Sequence, residues 1–280
     1  MILIVESGAT KSNWIAVDRS GKEFWRSTRD GMNVSAMDSS IIIEIIKSGI
    51  KESGLQEVEG FYLYISGVMT DGICFSLKEC ISKAVKCKEI DIQDDLMGAA
   101  RGVCGNKPGI VAILGTGSNA CLYDGNNVCR KVYSGGFILG DEGSAAALGR
   151  IFIGDFLKGV VPTELAVDFQ MNYDSNYQSI VRNVYHGIAP SAYLGGFVPF
   201  LLSHYQDSGY VRRIVKSNFQ SFIDRNLSAY DTGTNKVNVV GSFGNACRDI
   251  IIELAEAQGI SIGDFIISPL EGLVRYHLAD

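Results

Sequence analysis

Hydrophobic and polar positions alternate along the first 30 residues in the manner of short strands joined by polar turns. The turn Asp18-Arg19-Ser20-Gly21 contains residues that favour a chain reversal. Residues 38–53 then place isoleucine at helical spacing, and Gly54 stands where such a helix would end. The pattern predicts a helix over 38–53, preceded by three antiparallel strands at roughly 1–7, 13–18 and 22–28.

The chain then alternates between apolar runs and segments of helical period. The predicted elements are a buried strand at 60–66 that ends in a Ser66-Gly67 loop, a helix near 73–86, a short strand near 88–92 and a short helix at 96–103. Asp94-Asp95 lies between the last strand and the last helix.

The second half follows a similar order. Strands are predicted near 110–114, 118–124 and 127–133. An alanine-rich helix follows, which begins at Gly140-Asp141-Glu142-Gly143-Ser144 and runs to about 158. The rest is predicted as mainly helical chain over 160–235, a strand at 237–240, a helix at about 245–258, a short strand at 264–267 and a terminal helix. Strands interleaved with helices indicate an α/β fold with mixed sheets.

Two stretches of the chain carry nearly the same signature. Ile4 to Asn13 and Ala112 to Asn119 each combine an apolar strand, a turn of small residues and a second strand, and the two Ser-Asn pairs stand 106 residues apart. Successive N–H groups in such turns form a concave anion site, and glycine lets the backbone approach oxygen atoms closely. The duplication predicts two related domains that bind one polyphosphate in a cleft.

Composition and charge narrow the classes of function. The chain has 280 residues, enough for one large or two smaller domains, and a net charge of −6 without a Lys/Arg run. This argues against nucleic acid or an anionic membrane as a partner. The chain starts directly on a strand, without the features of a signal peptide, and its apolar runs are too short to cross a membrane. We therefore expect a cytoplasmic protein.

Seven cysteines are dispersed along the chain, and none stands in C-x-x-C spacing. Zinc and iron–sulfur sites need closer ligand clusters. We expect reduced structural cysteines, with a redox role as the minor alternative.

Four glycine-rich turns follow predicted strands, at 8–12, 115–118, 140–144 and 241–244. A single turn of this kind could contain glycine for backbone reasons alone. Four such turns, two of which are duplicated, favour nucleotide binding. None fits the P-loop pattern or G-x-G-x-x-G.

Carboxylates at strand ends are the acid–base and metal candidates. Asp94-Asp95 stands where a carboxylate can cap a helix or take a proton from an attacking hydroxyl, and Asp95 is the preferred base. Glu6 ends the first strand, where it could hold Mg²⁺ through water. Lys11 could meet phosphate or be a solvated turn residue. Asp141-Glu142 could cap the following helix or face the cleft.

The motifs resemble the BadF/BadG-type ATPase domain, and within it the N-acetylglucosamine kinases and their bacterial relatives. The resemblance runs from residue 1 to Glu271-Gly272 and rests on five motifs in the family's order, which begin at Ser7, Gly31, Asp95, Gly115 and Gly140. It implies two ribonuclease-H-like domains of the actin, hexokinase and heat-shock chaperone superfamily, closing on ATP. The implied domains are 1–106 and 107–268, with a helical insertion at about 160–235 and a terminal helix at about 269–280 that packs back on the first domain.

The resemblance also implies a role for each matching position. Asp95 matches the catalytic aspartate that deprotonates the primary hydroxyl of the sugar. The sugar side is lined by Asn33, Thr116, Gly117 and Asp141. The nucleotide and its phosphates are bound by Gly8, Thr10, Lys11, Gly115, Thr116, Gly117, Ser118, Gly241, Ser242 and Gly244. The implied cofactors are ATP and Mg²⁺, the implied substrate is a small sugar, and a homodimer is compatible with this superfamily.

Several positions depart from the family pattern, including the segment 64–68, which replaces a Tyr-Gly-Ala-Gly-like turn of relatives. Relatives begin the first loop with Asp and Gly, where this chain has Glu6 and Ser7, and they follow the sugar-contacting asparagine with Pro, where this chain has Val34. The leading hypothesis is a kinase that converts N-acetylglucosamine to its 6-phosphate. The alternatives are an ATPase activator of a radical dehydratase, against which the dispersed cysteines argue, and a sugar- or nucleotide-binding regulator without catalysis on a kinase scaffold.

Overall fold

The computed structural model describes residues 1–279. Its strands are β1 (Ile2–Ser7), β2 (Lys11–Val17), β3 (Glu23–Asp30), β4 (Glu57–Ile65), β5 (Lys86–Asp94), β6 (Gly109–Leu114), β7 (Ser118–Tyr123), β8 (Val128–Val132), β9 (Val237–Val240) and β10 (Ile262–Ile266). Its helices are α1 (Ser39–Ser53), α2 (Asp71–Ala84), α3 (Asp95–Cys104), α4 (Gly136–Leu139), α5 (Ala145–Leu157), α6 (Thr163–Asn172), α7 (Tyr177–His186), α8 (Pro190–Gly195), α9 (Val198–Ser203), α10 (Gly209–Arg225), α11 (Ser242–Ala246), α12 (Arg248–Glu256) and α13 (Leu270–Leu278), with a 3₁₀ turn at Leu227–Ala229.

The strands form two five-stranded sheets with equivalent order. The first sheet is β3-β2-β1-β4-β5, and the second is β8-β7-β6-β9-β10 when taken from the corresponding edge. In the first sheet β2 is antiparallel to β1 and β3, while β4 is parallel to β1 and β5. The repeated order matches the duplication in the sequence, and the predicted α/β fold with mixed sheets is confirmed.

Local signals explain the individual elements. Helix α1 begins after Asp38, whose side chain accepts a hydrogen bond from the Ser40 amide, and ends at Gly54 in a left-handed conformation (φ 70°). Its residues Ile42, Ile46 and Ile50 recur at helical spacing and are buried in the hydrophobic core beside the first sheet.

Contacts between Cα atoms divide the chain into two compact units. The first contains Met1–Val111, Cys121–Arg130 and Ile266–Asp280, and the second contains Ala112–Ala120 and Lys131–Phe265. In the first unit α13 packs Leu270, Leu273 and Val274 against β1 and β2. In the second unit an aromatic cluster that includes Phe152, Phe169 and Phe200 packs α5 against α6 and α9, two helices of the predicted insertion.

Two details differ from the sequence prediction. The helix predicted at 245–258 is two helices, α11 and α12, because the backbone at Cys247 has a ψ of 19° rather than a helical value. The alanine-rich helix α5 begins at Ala145, and its N-cap is Ser144, whose side chain accepts a hydrogen bond from the Ala147 amide. The alternative in which Asp141-Glu142 caps this helix is therefore wrong.

Candidate functional site

Three parallel strands of the first sheet end at the same edge. Ser7 at the end of β1 lies opposite Ile65 of β4, and Ile65 lies opposite Asp94 of β5. An isolated parallel bridge between Asn33 and Ser66 brings in the loop after β3. The loops that follow these strands are neighbours because the carboxyl ends of parallel strands share one edge. The first unit therefore brings together the predicted residues Glu6, Gly8, Thr10, Lys11, Asn33 and Asp95.

The hydroxyl of Ser7 fixes the loop that carries Asn33. Its Oγ accepts a hydrogen bond from the Met32 amide at 2.8 Å, and Ser66 Oγ donates to the Met32 carbonyl at 2.9 Å. Ser7 is fully buried. The serine that departs from the family pattern thus holds the predicted sugar loop in place.

Gly31 touches the turn between β1 and β2 directly. Its amide donates to the Thr10 carbonyl at 3.1 Å, and a Cβ at this position would overlap the carbonyl oxygen of Gly8. Gly8 itself has a negative φ and an open Cβ position, whose nearest atom is 3.8 Å away. The fold therefore explains the glycine at 31 but not the one at 8.

Asp94 and Asp95 have different positions at the start of α3. Asp94 is the N-cap, and its Oδ1 accepts a hydrogen bond from the Met97 amide at 2.8 Å. Asp95 is the first residue of the helix and is half-buried. The capping role that the sequence allowed for this pair thus falls to Asp94.

The side chain of Asn33 is held at one end. Its Oδ1 accepts a hydrogen bond from the Ser35 amide at 2.9 Å, and a Cβ on Gly67 would lie 2.7 Å from the same oxygen. Gly67 has a φ of 105°, which glycine adopts readily. Within residues 1–279 no protein acceptor bonds the Asn33 amide nitrogen, so this donor can serve a ligand.

Glu6 lies at the end of β1 with one carboxylate oxygen engaged. Its Oε2 accepts hydrogen bonds from Asn13 Nδ2 at 2.9 Å and from Ser268 Oγ at 3.2 Å. Burial raises the pKa of Glu6, while the hydrogen bonds from Asn13 and Ser268 and the charge of Lys11 lower it.

The remaining oxygen of Glu6 fits the role predicted for magnesium. Oε1 accepts no hydrogen bond from any residue in the range 1–279, and a single carboxylate with substrate phosphates is a usual magnesium environment. No group of three or more His, Cys, Asp or Glu side chains in the described chain is arranged to hold a metal ion by itself. Any cation here would need the phosphates as partners.

In the second unit, the loop 115–118 is bonded to the start of α5. The Ala145 and Ala146 amides donate to the carbonyls of Gly115 (2.9 Å) and Thr116 (3.1 Å). These bonds satisfy two of the amides that a helix leaves open at its N-terminus. Gly115, like Gly8, has a negative φ and an open Cβ position. The first amides of α5 are thus used by the loop itself.

Ser118 connects the same loop to the segment 140–144. Its Oγ donates to the Glu142 carbonyl at 2.7 Å, and its amide approaches Asp141 Oδ1 at 3.4 Å. The hydroxyl predicted to bind phosphate is therefore engaged within the protein.

Asp141 is a buried carboxylate in a strained conformation. Its φ of 55° makes it the one non-glycine residue with positive φ in residues 1–279. Burial raises the pKa of Asp141 to about 6. The hydrogen bond from the Ser118 amide lowers the pKa, and the charge of Glu142 raises it further. A Cβ on Gly117 would lie 3.1 Å from Asp141 Oδ2, so the two predicted sugar residues are neighbours.

The turn 241–244 packs against the end of β6. Gly241 has a φ of 127°, and a Cβ there would overlap the Leu114 carbonyl oxygen and lie 3.3 Å from the Gly115 amide. A Cβ on Gly244 would lie 2.7 Å from Val239 and 2.8 Å from Leu114. Packing accounts for both glycines, and it places this turn beside the loop 115–118. Ser242 begins α11 and is exposed.

Sequence reasoning missed the partners of Glu6. Asn13 belongs to the repeated Ser-Asn pair, so the duplication contained a signal for it. Ser268 stands 262 positions from Glu6 in the sequence, and no local pattern connects the two. The bridging role of Ser7 was also not predicted.

No protein-family model and no curated protein matches the sequence. Solved structures do match it. The putative N-acetylglucosamine kinase from Porphyromonas gingivalis is 35% identical, with a TM-score of 0.90 over 100% of this chain and 99% of its own. The putative N-acetylglucosamine kinase from Chromobacterium violaceum is 18% identical, with a TM-score of 0.77 over 98% of each chain.

A ROK family glucokinase from Streptomyces griseus, solved with glucose and AMPPNP, is 17% identical, with a TM-score of 0.62 over 98% of this chain and 97% of its own. At such identities the likeness to the last two structures is one of fold. Together the matches confirm the predicted actin/hexokinase-type ATPase fold and support a kinase. The narrower BadF/BadG assignment stays a prediction from the motifs. No helix within residues 1–279 has the length and apolar character needed to span a bilayer.

Proposed function

Because the chain belongs to the same family as the putative N-acetylglucosamine kinase of P. gingivalis, within the actin/hexokinase-type ATPases, we propose that it is an ATP-dependent sugar kinase. Its substrate is N-acetylglucosamine, and its product is the 6-phosphate. The observation that carries the proposal is the shared edge of β1, β4 and β5, where Asp95, Asn33 and the turn 8–11 are neighbours.

Asp95 is the general base of the proposed reaction. Its carboxylate accepts the proton of the primary hydroxyl as that oxygen attacks the γ-phosphorus, and the bond from this phosphorus to the β–γ bridging oxygen breaks to release ADP. A positioned base contributes about 10²- to 10⁴-fold to the rate. The Asn33 amide nitrogen orients the sugar as a hydrogen-bond donor. The rest of the acceleration comes from positioning the phosphoryl group and stabilising its charge.

The two repeated turns bind the phosphates. At Gly8 and Gly115 the fold has room for a larger side chain. A glycine in such a place is expected where a ligand oxygen approaches the backbone. Thr10 and Lys11 are exposed and supply a hydroxyl and a cationic donor. Thr116, Gly117 and Ser118 act in the second turn, and Gly241, Ser242 and Gly244 form the adenosine turn.

Glu6 is the residue proposed to hold Mg²⁺, through water at Oε1. When bound with the nucleotide, the cation neutralises phosphate charge. Asp141 and Gly117 contribute to the acceptor side.

The deciding experiment is an ADP-release assay with Mg-ATP and four acceptors: N-acetylglucosamine, glucosamine, N-acetylmannosamine and glucose. We expect the highest kcat/KM with N-acetylglucosamine. Turnover with another of these sugars would reassign the substrate and keep the kinase. Tight ADP binding without turnover of any sugar would favour the non-catalytic regulator, and a purified protein with bound iron and sulfide would favour the dehydratase activator.

The role of Asp95 has a matched control in the preceding residue. We expect Asp95→Asn to bind ADP nearly as tightly as wild type and to lose at least about 10² in kcat. Asp94→Asn keeps a good N-cap residue and should retain kcat within a few-fold. Single-turnover kinetics would measure the chemical step, and equal kcat in the two variants would remove Asp95 from its role.

A further inference from the structure

Directly opposed residues form a polar row across the first three strands of the sheet. Glu6 of β1 pairs with Asn13 of β2, and Asn13 pairs with Thr28 of β3. Directly opposed residues point to the same face of a sheet. Ile2 and Ile4 precede Glu6 on this face, and α13 covers them. The row is therefore the polar continuation of an apolar face and lies where β1 meets the candidate site.

The amide of Asn13 is oriented by its neighbours. Thr28 Oγ1 donates to Asn13 Oδ1 at 3.2 Å, so the Nδ2 group is directed to Glu6, to which it donates at 2.9 Å. An amide fixed at its oxygen in this way cannot rotate without losing both hydrogen bonds.

Ser268 is oriented in a similar manner from the other side. Its Oγ accepts a hydrogen bond from the Leu270 amide at 3.3 Å at the start of α13. The hydroxyl proton is then directed to Glu6 Oε2 at 3.2 Å. Ser268 thus connects the carboxylate to the terminal helix.

Two oriented donors on one oxygen leave Glu6 a single oxygen for a ligand. A carboxylate held in this manner presents Oε1 alone and cannot swing to chelate a cation with both oxygens. It also keeps its position when the site is empty, so that binding costs less reorganisation. A glutamate side chain has one more rotatable bond than the aspartate that is usual at this position. The hydrogen bonds from Asn13 and Ser268 compensate for that additional freedom.

We infer that Asn13 and Ser268 are positioning residues for the Glu6 carboxylate, and that they set how strongly the nucleotide site holds a divalent cation. This inference rests on the proposed function, in which Glu6 holds the magnesium of Mg-ATP. Neither residue contacts the reacting atoms. Their effect appears in the magnesium dependence of nucleotide binding.

The test compares ADP binding by calorimetry with and without Mg²⁺. The dissociation constant without Mg²⁺, divided by the one with Mg²⁺, reports how much the cation contributes to ADP binding. We expect Ser268→Ala and Asn13→Ala each to reduce this ratio about 10-fold, as is common for residues that orient a metal ligand, and to leave metal-free ADP binding unchanged. The Mg²⁺ concentration for half-maximal turnover should rise about 10-fold, with a much smaller change in kcat.

Ser27→Ala and Ser268→Thr are the controls. Ser27 lies on the other face of the same sheet and donates to Glu52, so its removal should leave the ratio at the wild-type value. Ser268→Thr keeps the hydroxyl and should restore the ratio. Thermal unfolding of each variant checks that the fold is intact.

The outcomes separate the inference from the proposed function. Wild-type ratios in Ser268→Ala and Asn13→Ala, together with a reduced ratio in Glu6→Gln, would overturn the inference alone. An equally low ratio in Ser268→Thr and Ser268→Ala would also overturn it, because the hydroxyl would not be the cause. A wild-type ratio in Glu6→Gln would overturn the metal role of Glu6, and the inference with it.

Discussion

Glycines in the candidate site serve two different purposes. Gly31, Gly241 and Gly244 are required by close packing against neighbouring atoms. Gly8 and Gly115 stand in the repeated turns with negative φ and no close neighbour at the Cβ position. A residue that the fold does not constrain is free to serve a ligand. Substitutions at Gly8 and Gly115 should therefore affect ligand binding more than the stability of the fold.

Alanine substitutions test this separation. We expect Gly8→Ala and Gly115→Ala to change the free energy of unfolding by less than about 1 kcal/mol, and to weaken ADP binding at least about 10-fold because the methyl group occupies the path of a phosphate oxygen. Gly31→Ala should destabilise the protein by about 1–3 kcal/mol through overlap with the Gly8 carbonyl. Urea unfolding and calorimetry measure both effects, and unchanged ADP affinity in the first two variants would contradict the assignment.

Asp141 gives the protein a specific pH dependence of stability. Its pKa is about 6 in the folded protein against an ordinary value of 3.8. The folded state therefore binds the proton more tightly than the unfolded state, and the resulting stabilisation is complete below about pH 4 and lost as the pH rises through 6. The difference corresponds to about 3 kcal/mol.

Asp141→Asn should remove this dependence of stability on pH. The asparagine carries no charge and tolerates a positive φ, so the variant should be more stable than wild type at pH 7.5 by up to about 3 kcal/mol. The difference between the two proteins in urea unfolding should shrink toward pH 4. If Asp141 contacts the sugar, the same variant should raise the KM for the acceptor. A stability difference that does not vary with pH would contradict the burial argument.

Helix α5 shows how packing sets the position of an element. Gly149 lies against α8, where a Cβ would overlap the Leu194 carbonyl oxygen, while Gly154 in the same helix has open space around its Cβ position. Helix α3 is placed by similar contacts, since a Cβ on Gly98 would lie 2.8 Å from the Tyr64 ring. Close backbone approach thus fixes the helix that begins with Asp95.

The two glycines of α5 should respond in opposite directions to alanine. Gly154→Ala removes the entropic cost of glycine in a helix and should stabilise the protein by about 0.5–1 kcal/mol. Gly149→Ala should destabilise it by about 1–3 kcal/mol or more. Thermal unfolding measures both changes, and a shift of the same sign in both variants would show that helix propensity outweighs the contact with α8.

Across the whole molecule, the duplication gives two sheets of equivalent order, each with a small-residue turn after its central strand. The closing hydrogen bond of the turn joins Gly8 to Lys11 in the first copy and Gly115 to Gly117 in the second, so the first spans one residue more. The acceptors of these bonds are 106 positions apart, which is the offset of the sequence repeat.

Nucleotide binding should stabilise the whole protein. Mg-ADP at 100 times its dissociation constant should contribute about 2.7 kcal/mol, which for a chain of this length raises Tm by about 5 °C. Asp95→Asn should keep this increase, and Gly115→Ala, which should bind ADP at least about 10-fold more weakly, should lose about half of it or more at the same concentration. Differential scanning fluorimetry measures the shift, and an equal shift in Gly115→Ala would contradict the binding role of the second turn.

The sequence predicted the elements and their order well because each carries a local signal. The isoleucine spacing of α1, the turn after β2 and the repeated turns depend on neighbours in the chain. The orientation of Glu6 depends on Ser268 from the far end of the chain, and the conformation of Asp141 depends on the Ser134 carbonyl and Ser118. Long-range contacts of this kind leave no local pattern, and they decide which candidate side chains are free to meet a ligand.

The contact between Gly31 and Gly8 has a consequence for attempts to change the preferred acceptor by directed evolution. Mutant libraries that vary residue 31 would disturb the Gly8–Lys11 turn, which we propose binds the nucleotide phosphates, together with the loop that carries Asn33. Most members of such a library would therefore lose both proposed binding functions. Val34 and Val68 lie close in sequence to the two ends of the Asn33–Ser66 bridge, and Val68 is exposed. Randomising these two positions is the better route to variants that accept other hexoses while their use of ATP is kept.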